Sequence, residues 1–147
     1  MKVIKFLVYG LLIAGTTIFS SCKKEGCTDP DSKTFNEEAK EDNGTCLYEG
    51  EAVLWYGESA ATGLIYDGAT TLTFYVDGQI VSSTAASVYW GGSPACGQNG
   101  SITVTKDLGS VKSKAYTFSV RDQTGWEYWS GVLNFTANTC EVQELTW

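Results

Sequence analysis

Leu72-Thr73-Phe74-Tyr75-Val76, then Asp77-Gly78, then Gln79-Ile80-Val81 is an alternating run, a two-residue turn and a return run. Successive side chains on a strand point to opposite faces, so Leu72, Phe74 and Val76 share one face and are assigned to the core. Asp-Gly between two such runs is the composition of a type I′ hairpin turn, whose two central residues adopt positive φ. The same grammar continues outward from this hairpin. Alternating or apolar runs occur at 52–56, 87–90, 101–105, 114–121, 127–136 and 140–146, most of them bounded by Gly, Asn, Asp or Ser. No helical period of comparable length competes. Seven to eight short strands, with only Pro30 and Pro94 in the chain and both in loops, predict an all-β fold: an immunoglobulin-like antiparallel β-sandwich. A small β-barrel is the alternative.

Period-two reading extends the core to Ile102 with Val104, Tyr116 with Phe118 and Val120, and Trp129 with Leu133 and Phe135, Gly131 lying among them. The last run loses strict alternation between Val142 and Leu145, which predicts a bulge or an edge strand. Cys96 falls in a Gly-rich loop, 91–100.

The chain opens on Met1-Lys2-Val3-Ile4-Lys5 and an apolar run from Phe6 to Phe19, 14 residues long. As a helix that run rises about 21 Å, short of a hydrocarbon core about 30 Å thick, so residues 1–21 are read as a secretory signal. The tetrapeptide Phe19-Ser20-Ser21-Cys22 resembles the lipobox of bacterial lipoproteins, with Phe19 where leucine is usual. This resemblance implies cleavage before Cys22, acylation of its thiol, and a membrane partner held through the lipid. With Lys23 rather than aspartate following, it points to the outer membrane of the cell envelope. Two lysines leave with the signal, taking the net charge from −7 to −9.

Five cysteines are present, and lipid attachment at Cys22 leaves Cys27, Cys46, Cys96 and Cys140 to pair in an oxidising compartment. Nearest neighbours, Cys27 with Cys46 and Cys96 with Cys140, keep each bridge within one segment; two other connectivities stay open. No C-x₂-C pair exists to suggest zinc.

Residues 22–50 differ in kind from the 51–147 domain. The stretch 23–51 holds nine acidic and four basic residues, with turn formers at Asp29-Pro30-Asp31 and Asp42-Asn43-Gly44. Cys27-Thr28-Asp29-Pro30-Asp31, Phe35-Asn36 and Glu41-Asp42-Asn43-Gly44-Thr45-Cys46 resemble a cysteine-bounded repeat, CTDP…N…DDGSC, of Gram-negative surface proteins, which implies a spacer or stalk. The remainder resembles the small cysteine-containing β domains that follow such stalks in bacterial lipoproteins, through its Tyr-Val-Asp-Gly hairpin, Ala95-Cys96-Gly97 and Trp129-Ser130-Gly131. That likeness implies no known activity.

Composition excludes several function classes. There is no histidine, which removes the commonest general base, the Ser-His and Cys-His nucleophile pairs and the usual transition-metal ligand. Basic residues are scattered, against a nucleic-acid partner. Asp122 and Glu127 flank the Gln123-Thr124-Gly125 turn, but no long loops build a cleft for carboxylate hydrolysis, so the chain is not expected to be an enzyme. Aromatic residues make 13% of the chain, more than the core parity absorbs. Tyr75 lies opposite Phe74, Trp126 and Tyr128 opposite Trp129, and Tyr89-Trp90 enters the Gly91-Gly92 loop. These five are the candidate ligand surface, for a glycan or an envelope protein. Asp29, Asp31, Glu41 and Asp42 are candidate calcium ligands if Cys27 meets Cys46, although the spacing of an EF-hand loop is missing. The predicted function is a cell-envelope lipoprotein that acts by binding; the alternative is a structural or assembly component without a soluble ligand.

Overall fold

The computed structural model describes residues 23–147; the predicted signal segment and Cys22 lie outside the described residues. The hairpin is β4 (Thr71–Val76) and β5 (Gln79–Ala85), and its turn residues Asp77 and Gly78 have φ of 56° and 71°, as a type I′ turn requires. β4 pairs on its other side with β7 (Ser113–Asp122), and β7 pairs with β8 (Glu127–Thr136), giving an antiparallel four-stranded sheet ordered β5-β4-β7-β8. The second sheet has β3 (Tyr48–Trp55) at its centre, antiparallel to β6 (Ile102–Gly109) and parallel to β9 (Cys140–Glu144). The two sheets stack as sandwich layers and do not close into a barrel. Four strands face three, as in an immunoglobulin constant domain, but the strand order is this chain's own.

Most of the period-two core is buried, while Tyr116 and Trp129, also assigned to it, are half-buried and pack against it. Leu72, Phe74, Val76, Val120, Leu133 and Phe135 are all but sealed from solvent, and Ile102, Val104 and Phe118 join them. Removing each such side chain from water is worth about 1.5–3 kcal/mol, which is why the alternation decides the layer arrangement. Gly131 sits where a Cβ would lie 2.9 Å from Phe118 Cε1, so the missing side chain makes room for the Phe118 ring. Gly50 does the same between sheets: a Cβ there would lie 2.8 Å from the backbone oxygen of Thr136. At this point β3 and β8 close one side of the sandwich, fastened by Asn138 N–H to Glu49 O at 2.9 Å and Glu51 N–H to Thr139 O at 3.0 Å.

Two elements depart from the sequence reading. Residues 87–90 are not a strand. Val88 N–H turns back to Ala85 O at 3.0 Å and Trp90 N–H reaches Tyr56 O at 3.0 Å, so the backbone leaves the ladder once β5 ends. A helix, α1 (Glu58–Tyr66), bridges the two sheets, burying Ala60, Ala61 and Leu64. It ends in a Schellman motif: Gly68, at φ 86°, donates to Ile65 O, and Ala69 donates to Leu64 O. The irregularity near Val142 has the simpler of the two predicted causes. β9 is an edge strand that stops at Glu144, and Leu145 is buried beyond it.

Both nearest-neighbour disulfides are present, Cys27–Cys46 and Cys96–Cys140. The second pins the 86–101 loop across the outer face of the three-stranded sheet, helped by Gly97 N–H to Thr103 Oγ1 at 2.9 Å. That cover explains why Val53, on the outward parity of β3, is as sealed as the core. The first bridge lies in the main core cluster with Tyr48, and the acidic segment packs against the sandwich rather than standing off from it as a spacer. Two short parallel strands, β1 (Glu25–Gly26) and β2 (Glu41–Asp42), shape it. Lys33 reaches Asp107 at 2.8 Å, and Lys112, from the β6–β7 connection, reaches Asp29 at 2.7 Å and Asp31 at 3.1 Å.

Candidate functional site

β3 gives the molecule two ends. The acidic segment docks beside Tyr48, where β6 passes into β7. Seven residues along, at Trp55, lie α1, the start of β4, the end of β5, the β7–β8 turn and the 145–147 segment. The exposed aromatic residues concentrate at this second end.

The β7–β8 turn holds Trp126 out on a rigid frame. One oxygen of Asp122, Oδ1, accepts from Thr124 N–H at 2.8 Å, Thr124 Oγ1 at 2.7 Å and Trp126 N–H at 2.9 Å. Those donors, the Thr124 hydroxyl first, hold the Asp122 carboxyl below its ordinary range. Gly125, at φ 89°, completes the turn. Gln123 staples it to the helix end: its Oε1 accepts from Thr70 N–H at 2.9 Å and its Nε2 donates to Gly68 O at 3.0 Å. Trp126 is nonetheless 68% exposed. With Tyr128, Asp67, Asp122 and Gln123 it lines a groove of about 320 Å³.

Tyr128 departs from its predicted parity. The β7–β8 register shifts between Val120 and Arg121, so Arg121 pairs with Glu127, Val120 with Trp129, and Tyr128 is the extra residue of a bulge. The bulge turns its ring to the same side as Trp129 (centroids 5.9 Å apart) and onto Trp147 (5.8 Å). Trp129 stacks in turn on the buried Tyr56 at 5.8 Å, so four rings run from core to surface. Burial pushes the Tyr56 hydroxyl up to about 12. The 145–147 segment is fixed by Leu145 N–H to Trp55 O at 2.8 Å and by Trp129 Nε1 donating to Thr146 O at 2.8 Å. Trp147 then covers Gly63, where a Cβ would come within 2.6 Å of its indole.

The other candidates are spread out. Tyr75 belongs to the outer face of the four-stranded sheet, in a separate groove of about 390 Å³, under Arg121 at 5.5 Å. Tyr89 is exposed and Trp90 half-buried at the same end as Trp126, but on the loop and outside its groove. Asp122 and Glu127 hold structure, one the turn and the other Arg121 at 3.0 Å. The four calcium candidates are not gathered. Asp29 and Asp31 are occupied by Lys112, Asp42 Oδ1 accepts from Gly44 N–H at 2.8 Å, and Glu41 lies in β2. Among the described residues no three His, Cys, Asp or Glu side chains form a metal-binding group. Sequence reading missed Trp147, 59% exposed, and Tyr66, 91% exposed, which neighbours Asp67 of the groove. Asp67-Gly68 after an apolar stretch was the available signal, as a helix stop.

Acid should loosen the docked segment. The hydrogen-bonded Lys112, then Tyr48, lower the Asp29 carboxyl below its ordinary 3.8; Lys33 and Gly109 N–H do the same for Asp107. A lowered folded value contributes stability above the unfolded value and loses it as the pH falls through the folded one. Urea midpoints of the wild type should therefore be flat near neutrality and drop below about pH 4. Asp29→Asn should be weaker at pH 7 and converge with wild type near pH 2. A constant gap between the two across that range would refute the assignment.

Comparison with protein-family models, with curated proteins and with solved structures finds no match.

Proposed function

We propose that this chain is a cell-envelope lipoprotein, anchored through an acylated Cys22, whose aromatic end is a binding surface for a glycan or protein ligand. The observation that carries the binding half is Trp126: a large ring left open to solvent on a turn that one carboxylate and one amide lock in place. A side chain already ordered loses little freedom when it is covered, so its area converts into affinity efficiently. The anchoring half rests on Phe19-Ser20-Ser21-Cys22 and the signal-like segment before it. Two or three acyl chains at about 0.8 kcal/mol per buried methylene would make the attachment stable. The N-terminal segment would then place the docked end near the bilayer and the aromatic end away from it.

The test uses the full chain expressed in a Gram-negative host. Wild type should float with membrane vesicles and carry added acyl mass, while Cys22→Ser should remain in the soluble fraction. Soluble Cys22→Ser protein, screened against a glycan array and by cross-linking to envelope extracts, should capture a ligand that Cys22→Ser/Trp126→Ala loses by tenfold or more. Membrane retention of Cys22→Ser overturns the anchor. Capture indifferent to Trp126 overturns the binding surface.

A further inference from the structure

The aromatic end is also the acidic end. All seven described lysines, residues 23, 24, 33, 40, 106, 112 and 114, lie in the docked segment or where β6 passes into β7. The stretch from Gly78 to Thr105, which includes β5 and the loop with Tyr89 and Trp90, carries no charge. At the aromatic end stand Glu58, Asp67, Asp122, Glu127 and Glu144, against Arg121 alone, which is paired with Glu127 at 3.0 Å. Asp67 is exposed beside the Trp126 groove, and its carboxylate enters none of the ion pairs or hydrogen bonds among the described residues.

From this distribution, and resting on the binding role proposed above, we infer that the groove receives a basic protein segment: an arginine or lysine laid across Trp126 with its charge against Asp67. An ionised carboxylate only accepts hydrogen bonds, and the π face of an indole attracts cations, so both walls favour one kind of group. A guanidinium satisfies them together, its plane stacking on the ring while its edge donates to Asp67. Uncommitted acidic charge at this end draws a cationic partner in and turns an anionic one away. Glu127 is excluded from the contact, because Arg121 holds it in the separate groove that Tyr75 lines. The floor is already satisfied: Gln123 spends its amide on Gly68 and Thr70, and Asp122 Oδ1 spends three acceptances on its own turn. Recognition therefore falls to Trp126, Tyr128 and Asp67.

The experiment measures binding of a fluorescent nine-residue arginine-serine peptide, of its all-serine analogue and of a neutral gluco-oligosaccharide to full-chain Cys22→Ser protein. Asp67→Asn and Trp126→Ala are added to that background. Glu37→Gln removes one exposed charge at the other end and controls for net charge. Trp126→Phe, which keeps a stacking ring, controls for damage to the turn. Basic-peptide binding should fall at least fivefold with Asp67→Asn and tenfold with Trp126→Ala, persist with Trp126→Phe, and be unchanged by Glu37→Gln; the serine analogue should not bind. Equal losses from Asp67→Asn and Glu37→Gln would reduce the attraction to overall charge and overturn the inference. Trp126-dependent binding of the oligosaccharide, without the peptide, would overturn it while leaving the binding surface standing. Failure of both probes to sense Trp126 would remove inference and surface together.

Discussion

Replacing Cys96 and Cys140 together by alanine is expected to cost about 4 kcal/mol of unfolding free energy and to free the 86–101 loop. The bridge spans 44 residues, and in the chain-entropy account a closed loop of that length restricts the unfolded state by about that much. A second contribution comes from the folded side, because the loop that Cys96 holds is what keeps water from Val53. Its release exposes an aliphatic side chain worth about 2 kcal/mol of burial and wets the half-buried Trp55, whose indole N–H is buried without a partner. Urea unfolding followed by tryptophan emission reads both effects: a lower midpoint, and a red shift already present before the transition. The Cys27→Ala/Cys46→Ala pair closes 19 residues and should cost about 3 kcal/mol by the same account. A loss under about 1 kcal/mol at the longer bridge, with native emission unmoved, would show that the loop is held by its other contacts.

Gly50→Val should be comparably damaging for a different reason. Backbone, not a movable side chain, stands 2.8 Å from where its Cβ must go, with Thr136 N at 3.2 Å and Phe135 Cβ at 3.3 Å behind it. Overpacking of this kind typically costs 1–3 kcal/mol, and here relief requires β3 and β8 to part where Asn138 and Glu51 join them. The expected result is a loss of about 3 kcal/mol or more, with Gly50→Ala intermediate. Gly68, with open space around its Cβ position, is the contrast. There the cost of Gly68→Ala comes only from its φ of 86° and should stay near 1 kcal/mol. If Gly50→Val unfolds at the wild-type urea concentration, the sheets are not in contact along that seam.

The elements that a period of two can see were legible from the residues. Leu72, Phe74 and Val76 alternate because one face is core, and the 127–136 run coincides with β8 because β7 pairs with it from end to end. What escaped reading lacks that signal. α1 is nine residues long, and its buried face is mostly alanine, so its apolar spacing is faint beside the strands. The bulge at Tyr128 is one extra residue, and one residue is enough to reverse a face; hence Tyr128 packs beside Trp129 instead of opposite it. Val53 lies on the outward parity of β3 and is covered by a loop from elsewhere in the chain, a tertiary effect that no local pattern encodes. For the site, Trp126 and Tyr128 were found because aromatic rings exceeded the available core. Trp147, Tyr66 and Asp67 were not, since only the meeting of the helix end with the β7–β8 turn makes them neighbours of that groove.

The central place of β3 has a mechanical consequence. A pull between the N-terminal segment and the aromatic end acts along β3, whose hydrogen bonds to β6 and β9 lie across the direction of load. Such bonds are strained in parallel, several at once, instead of unzipping in turn. The two sulfur bridges shorten what chain can pay out under tension, by sequence separations of 19 from Cys27 to Cys46 and 44 from Cys96 to Cys140. The domain thus has little chain to pay out along that axis.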